Sequence, residues 1–252
     1  MTQIDAARAG ICTPEMKAVA AKEYKTPEEI RDAVAKGIIA IPANINHTTL
    51  DPEGVGEGLR TKVNVNLGIS GDLMDEEMEL EKARIALELG AEGIMDLSNH
   101  GKTREFRRKL LAMSSAMIGT VPMYDAIGYL EKPLIGITAQ DFLDVIRAHA
   151  EDGVDFVTVH AGMNRRVIES FKETGRLMNI VSRGGSLIFA WMEATGNENP
   201  FYEHYDEVLE ILHEYDVTIS IGDAMRPGCT YDASDAGQIA ELIEIGKLTK
   251  RA

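Results

Sequence analysis

From Thr61 onward the chain alternates short runs rich in valine, isoleucine and phenylalanine with longer amphipathic stretches, the pattern of strand and helix in turn on a parallel sheet. Six such runs are read: Lys62 to Ile69, Gly93 to Leu97, Ala116 to Val121, Asp155 to His160, Met178 to Val181 and Val217 to Ile221. The stretch after the first shows how the helices are written. Glu76 and Glu77 fall in its first turn, where they complement the helix dipole, Leu80, Ala83 and Leu87 space out an apolar face, and Gly90 ends it.

The expected class is therefore α/β, and the expected architecture a (β/α)8 barrel of the TIM type with about six βα units present. Residues 61–252 are read as this partial barrel domain. Residues 1–60 lack the rhythm and read as a preface packing on it, with helical stretches at Thr13 to Lys22 and Pro27 to Ala35 and an apolar run from Ile38 to Ile45 broken by Pro42. Closing such a barrel takes eight strands, so two βα units are expected to be missing. An open, doubly wound sheet of six strands fits the same count, and periodicity leaves it open.

Every run ends in polar residues, and the carboxyl ends of strands are where a barrel places its chemistry. The first carries Asn64 and Asn66 before Gly68; the second ends Met95-Asp96-Leu97-Ser98-Asn99-His100; the third, Thr120-Val121-Pro122-Met123-Tyr124. The fourth ends His160-Ala161-Gly162, the fifth Ser182-Arg183-Gly184-Gly185, and the sixth Gly222-Asp223-Ala224-Met225-Arg226-Pro227-Gly228. Ser182 to Gly185 reads equally as a strand-to-helix turn or as amides offered to a phosphate at a helix N-terminus. His160 is a core histidine or a functional one, Asp223 and Arg226 a structural ion pair or a grip on hydroxyls and phosphate, and Tyr124 a packing ring or a site ring. His47, His149, His204 and His213 show no metal-ligand spacing and are assigned to surface or packing. The polar run Asn197 to His204 stays unassigned.

With 26 Lys and Arg against 41 Asp and Glu, the net charge of -15 repels phosphate backbones and anionic membranes, so neither nucleic acid nor membrane is an expected partner. The start has no apolar leader and no stretch approaches the ~18 apolar residues of a membrane span, which points to the cytoplasm. Cys12 and Cys229 lie far apart and in no CxxC pattern. The methionines read as core filler.

Taken together, Lys62 to Gly68, Ile94 to Ser98, Gly119 to Tyr124, Val159 to Gly162, Ile180 to Ser186 and Gly222 to Gly228 closely resemble the phosphomethylpyrimidine synthase family. Met1 to Gln3, Thr13 to Met16 and Ile41 to Asn44 match its preface. The resemblance implies a radical S-adenosylmethionine (SAM) enzyme that rearranges 5-aminoimidazole ribonucleotide. It carries the family's substrate-pocket positions to Asn66, Met95, Tyr124, His160, Ser182, Gly184, Asp223 and Arg226, with Arg183 adjoining. Ser182 and Gly184 are expected at the phosphate, Asp223 and Arg226 at the ribose, and Asn66, Tyr124 and His160 at the imidazole.

The resemblance also implies a [4Fe-4S] cluster, S-adenosylmethionine, a divalent zinc or iron ion, a homodimer and an electron donor. The family's CxxCxxxxC segment and metal-binding histidines have no counterpart in this chain, which holds no expected metal ligand and is expected to be inactive by itself. Asn99 to Thr103, Asp125 and Ala224 depart from the thiamine-pathway pattern and look like a paralogous branch that makes 5-hydroxybenzimidazole, the lower-ligand precursor of cobalamin-type cofactors. That product is the favoured expectation; the alternative is 4-amino-5-hydroxymethyl-2-methylpyrimidine phosphate, for thiamine. Two readings of other classes stay open: a non-catalytic barrel fragment, and a metal-assisted aldolase or isomerase.

Overall fold

The structure is a computed structural model that describes every residue except Lys102, Tyr129 and Glu131. The preface folds as α1 (Gln3–Arg8), α2 (Pro14–Lys22) and α3 (Pro27–Ala35), then an antiparallel pair, β1 (Ile39–Ala40) and β2 (Val55–Gly56). Each helix start is written locally: Thr2, Thr13 and Thr26 cap the three helices through their side chains, and Pro14 and Pro27 occupy first-turn positions where no amide hydrogen is needed. Met16, Val19, Ile30, Val34 and Ile39 close an apolar cluster among them. The sequence pattern missed β2, which is two residues long and exposed. Gly56 is required there, because its φ is +154° and a Cβ would lie 2.2 Å from the Ile38 carbonyl oxygen.

Strand and helix then alternate through β3 (Asn64–Leu67), α4 (Glu76–Glu88), β4 (Gly93–Asp96), α5 (Thr103–Met113), β5 (Met117–Thr120), α6 (Pro122–Gly128), α7 (Ala139–Asp152) and β6 (Phe156–Val159). The order continues with α8 (Arg165–Lys172), α9 (Arg183–Thr195), α10 (Pro200–Glu203), α11 (Tyr205–Tyr215), β7 (Thr218–Ile221) and α12 (Ala236–Arg251). One sheet has the order β3-β4-β5-β6-β7, and the pairs from β3 to β6 are parallel. Along β6 and β7 the bonds Thr218 N–H to Asp155 O and Gly222 N–H to Val159 O advance in the same direction on both strands, as in a parallel pair.

The expected fifth strand is corrected: Met178 to Val181 is not a strand, so five of the six runs enter the sheet. Asn179 turns the chain through φ +50°, and the Leu177 and Met178 amides donate to the Asp232 carboxylate at 2.9 Å each instead of to a neighbouring strand. Among the described residues the sheet is open, with β3 and β7 at its edges, and no closed barrel is present. Its order runs without the reversal that defines a doubly wound sheet, which removes that alternative. In α4 the buried residues are Glu79, Ala83 and Ala86, while Leu80 and Leu87 are only half-buried. Glu79 is drawn inward because its carboxylate accepts the Gly68 amide at 2.8 Å.

The chain divides into two compact units. The first comprises Met1–Thr120, Ile146–Val157 and Glu210–Ile219, and Asp155 is its hub. The Asp155 side chain is fully buried; Oδ1 accepts the Asn44 amide at 3.0 Å and Oδ2 the Ile118 amide at 2.7 Å. Its own amide donates to Ile118 O at 2.9 Å, and its carbonyl accepts from Thr218 at 2.9 Å. His47 completes the hub, with Nδ1 2.7 Å from Asp155 Oδ2 and Nε2 3.1 Å from Ser114 O. With Asp155 ionised, both ring nitrogens face acceptors and the ring is satisfied as imidazolium; burial raises the Asp155 carboxyl above its ordinary value, against its bonds to His47, Ile118 and Asn44. Burial pulls the His47 pKa down, but the Asp155 carboxylate and the Ser114 carbonyl outweigh it and hold the pKa above its ordinary value.

The second unit comprises Val121–Val145, Thr158–Leu209 and Ser220–Ala252. Phe142 packs edge-on against Trp191 and Phe201, at 5.8 and 5.4 Å between ring centres, and Trp191 Nε1 donates to Ile137 O at 2.9 Å. Tyr205 and Leu248 are buried here too.

Removing one partner of a buried pair strands the other. Asp155→Ala is expected to lower unfolding stability by about 3–5 kcal/mol. The raised His47 pKa adds stability that is present at low pH and lost as pH rises through it, so the penalty shrinks in alkaline buffer. Urea denaturation across pH checks this, and a loss of under about 1 kcal/mol at pH 6 contradicts it.

Candidate functional site

The second unit gathers seven of the nine expected site residues on four segments that follow strands or open helices. Tyr124 lies in the first turn of α6, directly after β5. His160 follows β6. Ser182 is the N-cap of α9, with Arg183 and Gly184 in its first turn, and Asp223 and Arg226 sit in the loop after β7.

The site is built by close approach around the His160 ring. A Cβ on Gly184 would lie 2.3 Å from His160 Cε1, and one on Gly222 would lie 3.1 Å from Nε2. A side chain at Gly184 would therefore expel the ring. Ser182 Oγ lies 3.0 Å from His160 Nε2 and accepts the Gly185 amide at 3.1 Å. The histidine is held from its backbone as well, since Asn199 Nδ2 donates to His160 O at 2.8 Å and to Met163 O at 2.7 Å. Burial, with the positive charge of Arg226 acting in the same direction and Asp223 opposing, brings the His160 pKa down to about 4. The ring is neutral at physiological pH.

Arg183 lies over the Tyr124 ring, 5.2 Å from guanidinium carbon to ring centre, a cation–π arrangement. Burial pushes the Tyr124 phenol up, against the charges of Arg183 and Arg226 and a bond from the Gly184 amide. Arg226 Nη1 is 3.2 Å from Asp223 O and 3.5 Å from Asp223 Oδ1. Both side chains are about half exposed, at 45% and 57%, so the pair is weak and each is free to turn to a ligand.

What shapes this loop lies beneath it, where Glu241 accepts the Ala224 amide at 2.8 Å and the Met225 amide at 2.6 Å, and Arg176 donates to Met225 O at 2.5 Å and to Asp235. Burial drives the Glu241 carboxyl up to about 7 against those two amide bonds. Glu241, Arg176 and Asn199 were not singled out from sequence. An acidic residue in an amphipathic helix reads as solvated, and only Asn199 lay in a run marked as unusually polar.

Asn66 and Met95 belong to the first unit, where they are register partners on β3 and β4. Asn66 is exposed and accepts from Asn64 Nδ2 at 3.1 Å; Met95 is half-buried. Of the other histidines, His149 is buried and 2.8 Å from Thr120 Oγ1, His204 and His213 pair at the surface with Glu207 and Asp5, and His100 is exposed. A cavity of about 540 Å³ in the first unit, lined by Gln3, Cys12, Glu15 and Asp216, holds none of the expected site residues.

A three-thiolate cluster site does not fit this chain, whose two cysteines, Cys12 and Cys229, stand in different units. Among the described residues no group of three His, Cys, Asp or Glu side chains is arranged to hold a metal ion. No described helix is long and apolar enough to cross a membrane.

Comparison with known proteins decides the family. Residues 2–252 match the model of the radical SAM ThiC family. This chain belongs to that family. Phosphomethylpyrimidine synthases from Alkaliphilus oremlandii and Pelotomaculum thermopropionicum are each 61% identical to it over 251 residues, and that from Clostridioides difficile is 60% identical. Each alignment covers 100% of this chain but 57% or 58% of the relative, so the chain spans little more than half the length of the relatives it matches. The family carries the cluster and S-adenosylmethionine as its cofactors. The relatives' names are those of the pyrimidine branch, and the favoured benzimidazole product finds no support in them.

Two outcomes are expected. Removing Glu241 leaves two buried amides unpaired, so Glu241→Ala should cost about 2–3 kcal/mol and release the Ala224 and Met225 amides to fast hydrogen exchange; unchanged protection at both contradicts the loop support. His160, followed by NMR, should titrate near pH 4. Its folded pKa is depressed, so its contribution is present above pH 6.5 and lost as pH falls toward 4, by an amount on the order of 3 kcal/mol. Titration near 6.5 contradicts its burial as a neutral ring.

Proposed function

We propose that the second unit is the substrate-gripping part of a radical SAM enzyme that converts 5-aminoimidazole ribonucleotide to 4-amino-5-hydroxymethyl-2-methylpyrimidine phosphate. The observation that carries this is the gathering of Arg183, Arg226, Asp223, Tyr124 and His160 around the N-terminus of α9, on a chain whose net charge is -15. Two arginines against one aspartate make this a locally cationic spot on an acidic protein, a field that selects a phosphorylated ligand. The helix N-terminus and Arg183 suit the phosphate, with Arg183 prepositioned by its stacking on Tyr124. Asp223 accepts from ribose hydroxyls, Arg226 neutralises the remaining anionic oxygens, and neutral His160 with Tyr124 orients the imidazole. Holding the substrate still is what these residues offer a radical reaction, since geometry selects among the fates of a reactive intermediate. Asn66 and Met95 join the proposal as substrate positions on the family resemblance alone.

The pyrimidine product rests on the relatives' names and on the placement of the departures that favoured the benzimidazole. Ala224 and Asp125 are buried at 0% and 5% exposure, and Ala224 packs where a Cβ on Gly185 would meet it at 2.7 Å. Those two changes are buried, whereas His100 and Gly101 of the third, Asn99 to Thr103, are exposed. The consecutive strand order supports reading the sheet as a segment of a (β/α)8 barrel. A homodimer, an electron donor and a divalent metal belong to the same proposal for the whole enzyme. This chain's own residues supply neither the cluster's three thiolates nor a metal site among those described, so no chemical step is assigned to it.

Calorimetry tests the grip. Aminoimidazole ribonucleotide should bind this chain, its dephosphorylated nucleoside at least about tenfold more weakly, and Arg183→Ala or Arg226→Ala should each cost about tenfold, near 1.4 kcal/mol. Equal affinity with and without the phosphate contradicts the assignment.

A further inference from the structure

We infer that Ser182 is a positioning residue that holds His160 as the tautomer protonated on Nδ1, so that the imidazole meets a bound ligand as a hydrogen-bond donor and not as a base. The inference comes from counting hydrogen-bonding atoms in a closed space. Ser182 is 0% exposed, and its Oγ already accepts the Gly185 amide at 3.1 Å as the cap of α9. Its other partner is His160 Nε2, at 3.0 Å. Among the described residues, His160 Nδ1 is the buried side-chain nitrogen or oxygen without a partner in the protein.

Two neutral arrangements are possible. If Nε2 carries the proton and donates to Ser182 Oγ, the serine hydroxyl hydrogen is left buried with no acceptor, and Nδ1 is left as a bare acceptor. If Ser182 donates its hydrogen to Nε2, the hydroxyl is fully used and the single atom left over is the Nδ1–H donor. The second arrangement strands one group where the first strands two, and a stranded buried group is worth at least about a tenfold bias. Turning the ring by half a revolution offers no third solution, because it sets a ring carbon against Ser182 Oγ. Gly184 and Gly222 pin the ring at close range, where a Cβ would lie 2.3 and 3.1 Å from ring atoms, so it is held in the orientation that Ser182 reads.

This changes the part expected of Ser182 at the phosphate. Its hydroxyl is spent on Gly185 and His160, leaving the donors Nδ1–H, Arg183 and Arg226 for a ligand rich in acceptors. The inference deepens the pocket proposed above and rests on it for the meaning of the donor. The tautomer itself belongs to the ligand-free chain, so failure of the binding experiment and failure here are separate results.

Nitrogen NMR of the ligand-free chain with labelled histidine, at pH 7, reads the tautomer directly. The expected spectrum shows His160 Nδ1 as the proton-bearing, pyrrole-type nitrogen and Nε2 as the pyridine-type nitrogen. Ser182→Thr keeps a hydroxyl and should keep that pattern, whereas Ser182→Ala should move the ratio about tenfold toward Nε2–H. A cap acting only on the helix would leave the ratio where it is. A pyrrole-type Nε2 in the unaltered protein overturns the inference without any variant, and so does an unchanged ratio in a folded Ser182→Ala protein.

Discussion

The first unit depends on one buried carboxylate. Asp155 stands where β6 begins and takes hydrogen bonds from the preface at Asn44, from β5 at Ile118 and from His47, while its carbonyl receives the amide that opens β7. A charge with no exposed surface is tolerable only when nearly every lone pair is used, and here it is also opposed by an imidazolium. The same geometry explains why the preface is not an appendage. Asn44 Nδ2 donates to Ala150 O and Val154 O at 2.8 Å each, so the segment after β1 is stitched to the turn that leads into β6.

At its other end β6 delivers His160, and there the second unit uses the opposite device. Instead of filling space with side chains it removes them, with Gly184 and Gly222 letting two backbones approach the imidazole to within contact. The consequence is electrostatic: a ring this enclosed stays neutral, whereas the arginines and aspartate around it remain at the surface, supported from beneath by Glu241 and Arg176. In the proposed function, the neutral ring, exposed charges and buried supports hold a phosphorylated heterocycle in place.

The alternation of apolar runs and amphipathic stretches made most strands and helices legible, because the period of an apolar pattern reports the local structure directly. It failed at Met178 to Val181, where Ile180 and Val181 look strand-like but the chain turns at Asn179 and its amides go to Asp232, more than fifty residues away. The polar strand ends stood out because a polar group directly after an apolar run breaks the packing pattern, and His160 and Ser182, which do so, meet in the structure. Glu241 and Asp155 were not legible as supports, since a buried carboxylate looks like a surface one until its distant donors are known. His47 read as packing or surface; its partner lies 108 residues on. The benzimidazole preference rested on departures such as Ala224, which carry weight only if they face the pocket, and sequence does not say which way they face.

Family membership and site geometry meet in one claim, that the second unit holds the nucleotide. A crystal structure of this chain soaked with aminoimidazole ribonucleotide tests it most directly. The account predicts the phosphate within hydrogen-bond reach of Arg183 and the start of α9, the ribose hydroxyls at Asp223, and the ring beside His160 and Tyr124. A nucleotide seated only in the first unit, or with its phosphate turned away from both Arg183 and Arg226, would contradict it.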